Sequence, residues 1–208
     1  MPDVVAGFLG FLASLTRLAG LILLPALAVE FLHQKKWRLR NVNWKLFWVA
    51  LPVLGFLLYL IINYQVTGDF FTFMEVERVH WYQTLNPFEG LSQTILSFSR
   101  PYPENFIIGY AQIIFAVFGL IMILVSAKLK LRPSYQVFML LTWLLAVSTS
   151  FWISIPRYVI ALFPMFIALG ILSTKKPFGK ILLVTASTVF LLLLFYFTWL
   201  FAAGIFVF

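Results

Sequence analysis

The chain alternates long apolar runs with short polar breaks, and most of the runs approach the length that crosses a bilayer as a helix. The first covers residues 4–32 and is apolar apart from Ser14, Thr16, Arg17 and Glu30. As one helix it would be about 43 Å long against a hydrocarbon core of roughly 30 Å. It must tilt, protrude or break, and Thr16-Arg17 followed by Gly20 is the predicted break, with Pro25 able to kink the second half. Trp44 to Tyr64 supplies about 31 Å of helix, with Trp44, Trp48 and Tyr64 where interfacial aromatics belong and Pro52 as a tolerated kink. Further runs cover Asn105 to Ala127, Tyr135 to Ile153, Tyr158 to Leu172 and Ile181 to Phe208. The Tyr158 to Leu172 run reaches only about 22 Å. Either the bilayer thins there, or the Ser154-Ile155-Pro156-Arg157 corner lies below the outer surface in a protein-lined cavity.

One stretch breaks this pattern at length. Tyr64 to Asn105 carries five of the seven acidic residues, one of the two histidines, and Arg78 and Arg100 as its basic residues. Within it, Asn86-Pro87-Phe88-Glu89 reads as a helix start, with Asn as cap, Pro at the first position and Glu at the third. Leu91, Ile95 and Phe98 then share a face, which predicts an interfacial helix lying flat with that face downward, ended by Arg100-Pro101 and Pro103.

Charge orients the runs. Eleven of the fifteen Lys and Arg residues fall in three short breaks: Lys35 to Lys45, Lys128 to Arg132 and Lys175 to Lys180. By the positive-inside rule those breaks are cytoplasmic and the Tyr64 to Asn105 loop is outer. The expectation is an all-α polytopic transmembrane bundle of about six spans with both termini outside, a single domain over residues 1–208. A re-entrant half-helix before Arg17 would move the N-terminus to the other side. At 62% hydrophobic and 11% charged, the chain has too little polar surface to coat a soluble globule. The net charge of +8 is topological, because the basic residues are not interleaved with aromatics on one solvated face as nucleic-acid binding requires. With no cysteine and two isolated histidines, thiolate chemistry and a metal centre are not expected, and no cofactor is called for.

The polar residues that could carry chemistry each have a bland alternative. Arg17 in an apolar run costs about 2.5 to 3.5 kcal/mol unless partnered. It is either satisfied by carbonyls freed at the break or by Glu30, or it is a phosphate ligand. Arg157 either snorkels to water or faces an anionic lipid headgroup from a cavity. Glu75, Glu77, Arg78 and His80 could include a general base, but such crowding is more often a solvated helix face, with Trp81 and Tyr82 as interface anchors. Asp69 after Gly68 reads as a turn or cap. Glu30 beside the basic cluster reads as a salt-bridged or snorkelling helix end. No P-loop, dinucleotide glycine pattern, HExxH or GxSxG is present.

Leu15-Thr16-Arg17 with Gly20 and Glu30, Gly68-Asp69-Phe70, Ser154-Ile155-Pro156-Arg157-Tyr158 leading to Phe163-Pro164, and the closing Phe201-Ala202-Ala203-Gly204 together form an ordered set. In order and spacing this set resembles the C-terminal half of the GPI mannosyltransferase 2 (PIG-V) family. The Ile205-Phe206 ending departs from the aromatic-Val ending of bacterial members. The resemblance implies a polytopic C-type glycosyltransferase that moves a sugar from a polyprenyl- or dolichyl-phosphate carrier to an acceptor on the non-cytoplasmic side, in GPI-anchor biosynthesis for the eukaryotic family. It implies a plasma membrane location in a prokaryote and the endoplasmic reticulum in a eukaryote. The family's catalytic carboxylate belongs to an N-terminal outer loop outside these residues, so no catalytic residue is assigned and a missing N-terminal half or partner subunit is expected. Arg17 and Arg157, with Tyr158, are expected to bind the donor phosphate, and the outer loop with Arg78 and His80 to cover the sugar. The rivals are a transporter or lipid-binding module, favoured by a pseudo-symmetric pair of broken helices, and a structural subunit whose arginines pair internally.

Overall fold

A computed structural model describes residues 2–38, 40, 44–81, 84–174 and 178–205. Tyr82, Lys175, Phe206 and Phe208, named above, lie outside these. The described residues are helical, with one isolated bridge between Leu85 and Thr149. Ten α-helices follow in order: α1 (Pro2–Thr16), α2 (Leu23–Gln34), α3 (Leu46–Thr67), α4 (Thr72–His80), α5 (Pro87–Leu96), α6 (Ala111–Lys128), α7 (Pro133–Val147), α8 (Ile155–Ile160), α9 (Pro164–Ser173) and α10 (Phe178–Ala202). A 3-10 turn at Leu18–Ile22 joins α1 to α2, and a π-turn at Asn105–Tyr110 leads into α6.

The all-helical expectation holds, and the set of about six spans is met in part. Among the described residues, three stretches are long and apolar enough to cross a membrane: Leu46–Thr67, Asn105–Lys128 and Phe178–Ala202. The remaining apolar helices are shorter and form two interrupted hairpins. In the first, Arg17 is extended (φ −156°, ψ 139°) and ends α1. Gly20 then lies directly on the Ala13 backbone, and Leu27 reaches Gly10, so α2 runs back along α1. Only a residue without a Cβ allows the return at Gly20.

Small residues also set the next contact. Gly7 meets the Trp48 carbonyl, Gly10 meets Pro52 and Gly55 meets the Phe11 carbonyl, so α1 and α3 run parallel and close together. The start of α1 therefore lies at the same end as the start of α3 and the Lys35–Arg38 cluster. The six-span reading puts the start of α1 at the other end, whereas the re-entrant alternative puts it at this one.

The second hairpin is α7, the 148–154 link, α8 and α9, with α6 packed along it. Its core includes Phe115, Met122, Met139, Val159, Leu162 and Met165. Trp143 Nε1 donates to the Ala116 carbonyl at 2.8 Å, and Gly119 makes room for that ring. The two hairpins meet where α2 packs on α7. At the basic end of that seam, Glu30 accepts from Arg132 at 3.1 Å, from Ser134 at 2.6 Å and from Gln34 at 3.0 Å. Glu30 is thus the salt-bridged helix end, and it serves Arg132 in place of Arg17.

The segment between α3 and α6 lies at the opposite end. Asp69 Oδ1 accepts from the Phe71 amide at 3.1 Å, the expected turn. Helix α4 packs on α3 through Tyr59 and Phe73, and buries none of its own residues. Helix α5 begins at Pro87 as expected, although Asn86 makes no side-chain capping bond and instead donates to Glu89, and the side that meets the bundle is not the Leu91–Ile95 side. Gly90 sits on the Thr149 carbonyl and the Trp152 indole, and Thr94 and Ser97 are buried on the same side. Leu91 and Ile95 are exposed, and Phe98 stacks on Tyr110 at 4.2 Å. Close approach at Gly90 outweighs the larger side chains in choosing the contact face.

Candidate functional site

The tips of both hairpins stop short of the flanking helices. With Gly55 beside Phe11, the Thr16-Arg17 tip falls near Leu60–Ile61, and α3 continues to Thr67, about 10 Å further. The second tip is tied to α6, where the Ile155 amide donates to Gln112 Oε1 at 2.9 Å. Gln112 lies seven residues after Asn105, so this corner sits about 10 Å below the start of the π-turn. Ile155 and Pro156 of this corner are buried, and α5 lies over the 148–154 link through Gly90.

Local sequence builds the corner. Ser154 precedes α8, Pro156 occupies its first turn with its fixed φ, and Ile155 and Val159 are buried against α6. On this short helix Pro156, Arg157 and Ile160 share one side, which leaves Tyr158 pointing about 100° away from Arg157.

Arg17 and Tyr158 are brought together. Arg17 Nη2 donates to Tyr158 Oη at 2.9 Å, and the guanidinium carbon is 5.5 Å from the tyrosine ring centroid. The arginine remains exposed, with donors to spare.

Arg157 faces the other way. It lines a cleft of about 410 Å³ with Pro156 and Ile160 of α8, Phe115 of α6, and Phe190, Leu193, Leu194, Phe197, Thr198 and Phe201 of α10. Helix α10 packs on α9 at the basic end, and at the opposite end Tyr196 shares a hydrogen bond with Tyr102 at 2.9 Å. Phe106 packs there against Tyr196 and Phe197. Between these attachments the cleft stays open. Arg157 is its charged group, and among the described residues the guanidinium has no carboxylate and no hydrogen-bond partner.

Arg78 and His80 are not joined to either arginine. Both are exposed on α4, which packs on α3. Glu75 and Glu77 share that exposed helix, so the solvated-face alternative describes this cluster. No group of three or more His, Asp or Glu side chains among the described residues is placed to hold a metal ion.

Sequence reasoning passed over Gln112, which is fully buried and bonded at both ends of its amide: Nε2 donates to the Ile107 carbonyl at 2.8 Å and Oε1 accepts from Ile155. The available signal was its position as the one polar residue between Tyr110 and Ser126. Comparison with known protein families, curated proteins and solved structures finds no match to this chain.

Proposed function

We propose that the chain is a multi-pass membrane module whose Arg157 cleft binds the phosphate and adjoining hydrocarbon of a lipid-phosphate-linked sugar, as part of a glycosyltransferase like the PIG-V family it resembles. Three helices (α3, α6 and α10) cross the bilayer, while the α1–α2 and α7–α9 hairpins enter from the cytoplasmic side and return. The basic breaks are then cytoplasmic, and α4 and the interfacial α5 lie at the outer face.

The reading is carried by the unpaired guanidinium of Arg157 in an apolar cleft. Arg157 is exposed along this cleft; with hydrocarbon in place of water over the cleft its charge is costly without an anion, and a guanidinium presents a fork that matches two phosphate oxygens. The cleft walls suit a hydrocarbon chain, and the cleft size falls in the range of ligand sites. No carboxylate lines it among the described residues, so sugar transfer here draws its base from elsewhere.

A second reading is transport, favoured by the pair of interrupted hairpins whose tips touch. The packing is not two-fold, however: α1 lies along α3, whereas α7 packs on α2 and α6 and α10 packs on α9.

Titration of the nanodisc-embedded chain with undecaprenyl phosphate, followed by native mass spectrometry, tests the first reading. Wild type binds the phosphate and not the neutral polyprenol, Arg157→Lys binds more weakly, and Arg157→Ala loses about ten- to hundredfold in affinity at unchanged protein yield. Equal binding by wild type and Arg157→Ala refutes it.

A further inference from the structure

We infer that Gln112 is the positioning residue of the Arg157 site, holding the start of α8 at the depth from which Arg157 reaches the cleft. The assignment rests on the lipid-phosphate reading for its functional meaning and on geometry alone for its mechanical one.

A helix of six residues has little stability of its own, and its first N–H groups need acceptors. At α8 the usual devices are missing. Ser154 makes no side-chain capping bond, and Pro156 has no N–H to offer. The Ile155 amide is satisfied across the bundle, by Gln112 Oε1 at 2.9 Å. The other half of the same side chain is held in turn, since Nε2 donates to the carbonyl of Ile107 at 2.8 Å. That carbonyl belongs to the π-turn at Asn105–Tyr110, an irregularity that recurs at functional sites. Gln112 therefore caps α8 from α6. Both its hydrogen bonds lie in a dry interior, where losing either leaves a polar group unpaired. Two residues past the capped amide stands Arg157, and Phe115, one turn beyond Gln112 on α6, lines the same cleft. One side chain thus sets the spacing between two walls of the site and the direction of its cation.

The test compares Gln112→Met and Gln112→Glu in the nanodisc-embedded chain. Methionine keeps the volume and loses both bonds. A glutamate kept neutral by burial has one donor and one acceptor and restores them. Two quantities are read: hydrogen exchange of residues 154–160, and affinity for undecaprenyl phosphate in the Arg157 and Arg157→Ala backgrounds. Gln112→Met is expected to speed exchange of that segment and to weaken binding, each by about tenfold. It should cost nothing further once Arg157 is already alanine, and Gln112→Glu should return both quantities toward wild type. A loss of the same size in both backgrounds, or unchanged exchange at 154–160, overturns the assignment. If Gln112→Met does not fold, Gln112→Asn, too short by one methylene to reach both partners, carries the same expectations. If wild type fails to bind the probe, the lipid-phosphate reading falls. The exchange result then decides the positioning role alone, upheld by acceleration confined to 154–160 and overturned by acceleration throughout or none.

Discussion

Arg17 and Tyr158, 141 residues apart, join the two hairpin tips through a 2.9 Å hydrogen bond, short of the C-terminal end of α3 and the N-terminal end of α6. The guanidinium also stands over the tyrosine ring, so one contact combines a hydrogen bond with a cation–π interaction. The pairing places Tyr158 between the two arginines of the corner. Arg17 consequently acts first as a tie between hairpins, while Arg157 on the next residue is left to the cleft.

Replacing Tyr158 by Phe removes the acceptor and keeps the ring, and is expected to cost about 0.5 to 1.5 kcal/mol. Arg17→Ala loses both interactions and should cost more. In a double-mutant cycle read by thermal unfolding in detergent, the two changes should be less than additive. Strict additivity would show that the tips are held by other contacts.

Close backbone approach makes a second prediction. Gly55→Val drives a side chain into the Phe11 carbonyl and should destabilise by about 1 to 3 kcal/mol through overpacking of α1 against α3. Gly170, in the middle of α9, has nothing within 4 Å of an added Cβ. There Gly170→Ala is expected to stabilise by roughly 0.5 to 1 kcal/mol, from helix propensity. The same unfolding assay reads both, and the two signs should be opposite.

How much of this was legible in the sequence follows from the range of each signal. The break at Thr16-Arg17 was readable because an arginine and a glycine interrupt an apolar run, and the deep corner because the return run after Pro156 is too short to cross. Both signals are local. The direction of α1 was not readable, since it depends on Gly7 and Gly55 meeting backbone, and Gly10 meeting the Pro52 ring, some 40 residues distant. The side of α5 that meets the bundle was not readable for a related reason. Periodicity weights large apolar residues such as Leu91 and Ile95, whereas contact went to Gly90, Thr94 and Ser97, which permit the closest approach. Gln112 stood out as a lone polar residue, but its partners at Ile107 and Ile155 exist only in the folded chain.

On the proposed orientation, the hairpin puts the start of α1 on the same cytoplasmic side as the Lys35–Arg38 cluster. In a chain without cysteine, single cysteines are clean reporters. Cysteines at Gln34 and Lys130 should be shielded from an impermeant thiol reagent in intact cells, and cysteines at Thr84 and Ser92 should label. An epitope tag joined at residue 1 should be detected only after permeabilisation. Detection of the tag in intact cells would restore an outer N-terminus and contradict the parallel packing of α1 and α3.

Occupancy of the cleft is the central claim, and photocrosslinking reads it most directly. An undecaprenyl phosphate analogue carrying a diazirine on the isoprene next to the phosphate would be bound to the nanodisc-embedded chain, irradiated, and its adducts mapped by mass spectrometry. The account predicts adducts on Phe115 and on Phe190, Leu193, Leu194 or Phe197 of α10, competed by unlabelled undecaprenyl phosphate and lost in Arg157→Ala. Adducts confined to the exposed faces of α1 and α3, or a pattern unchanged by Arg157→Ala, would contradict it.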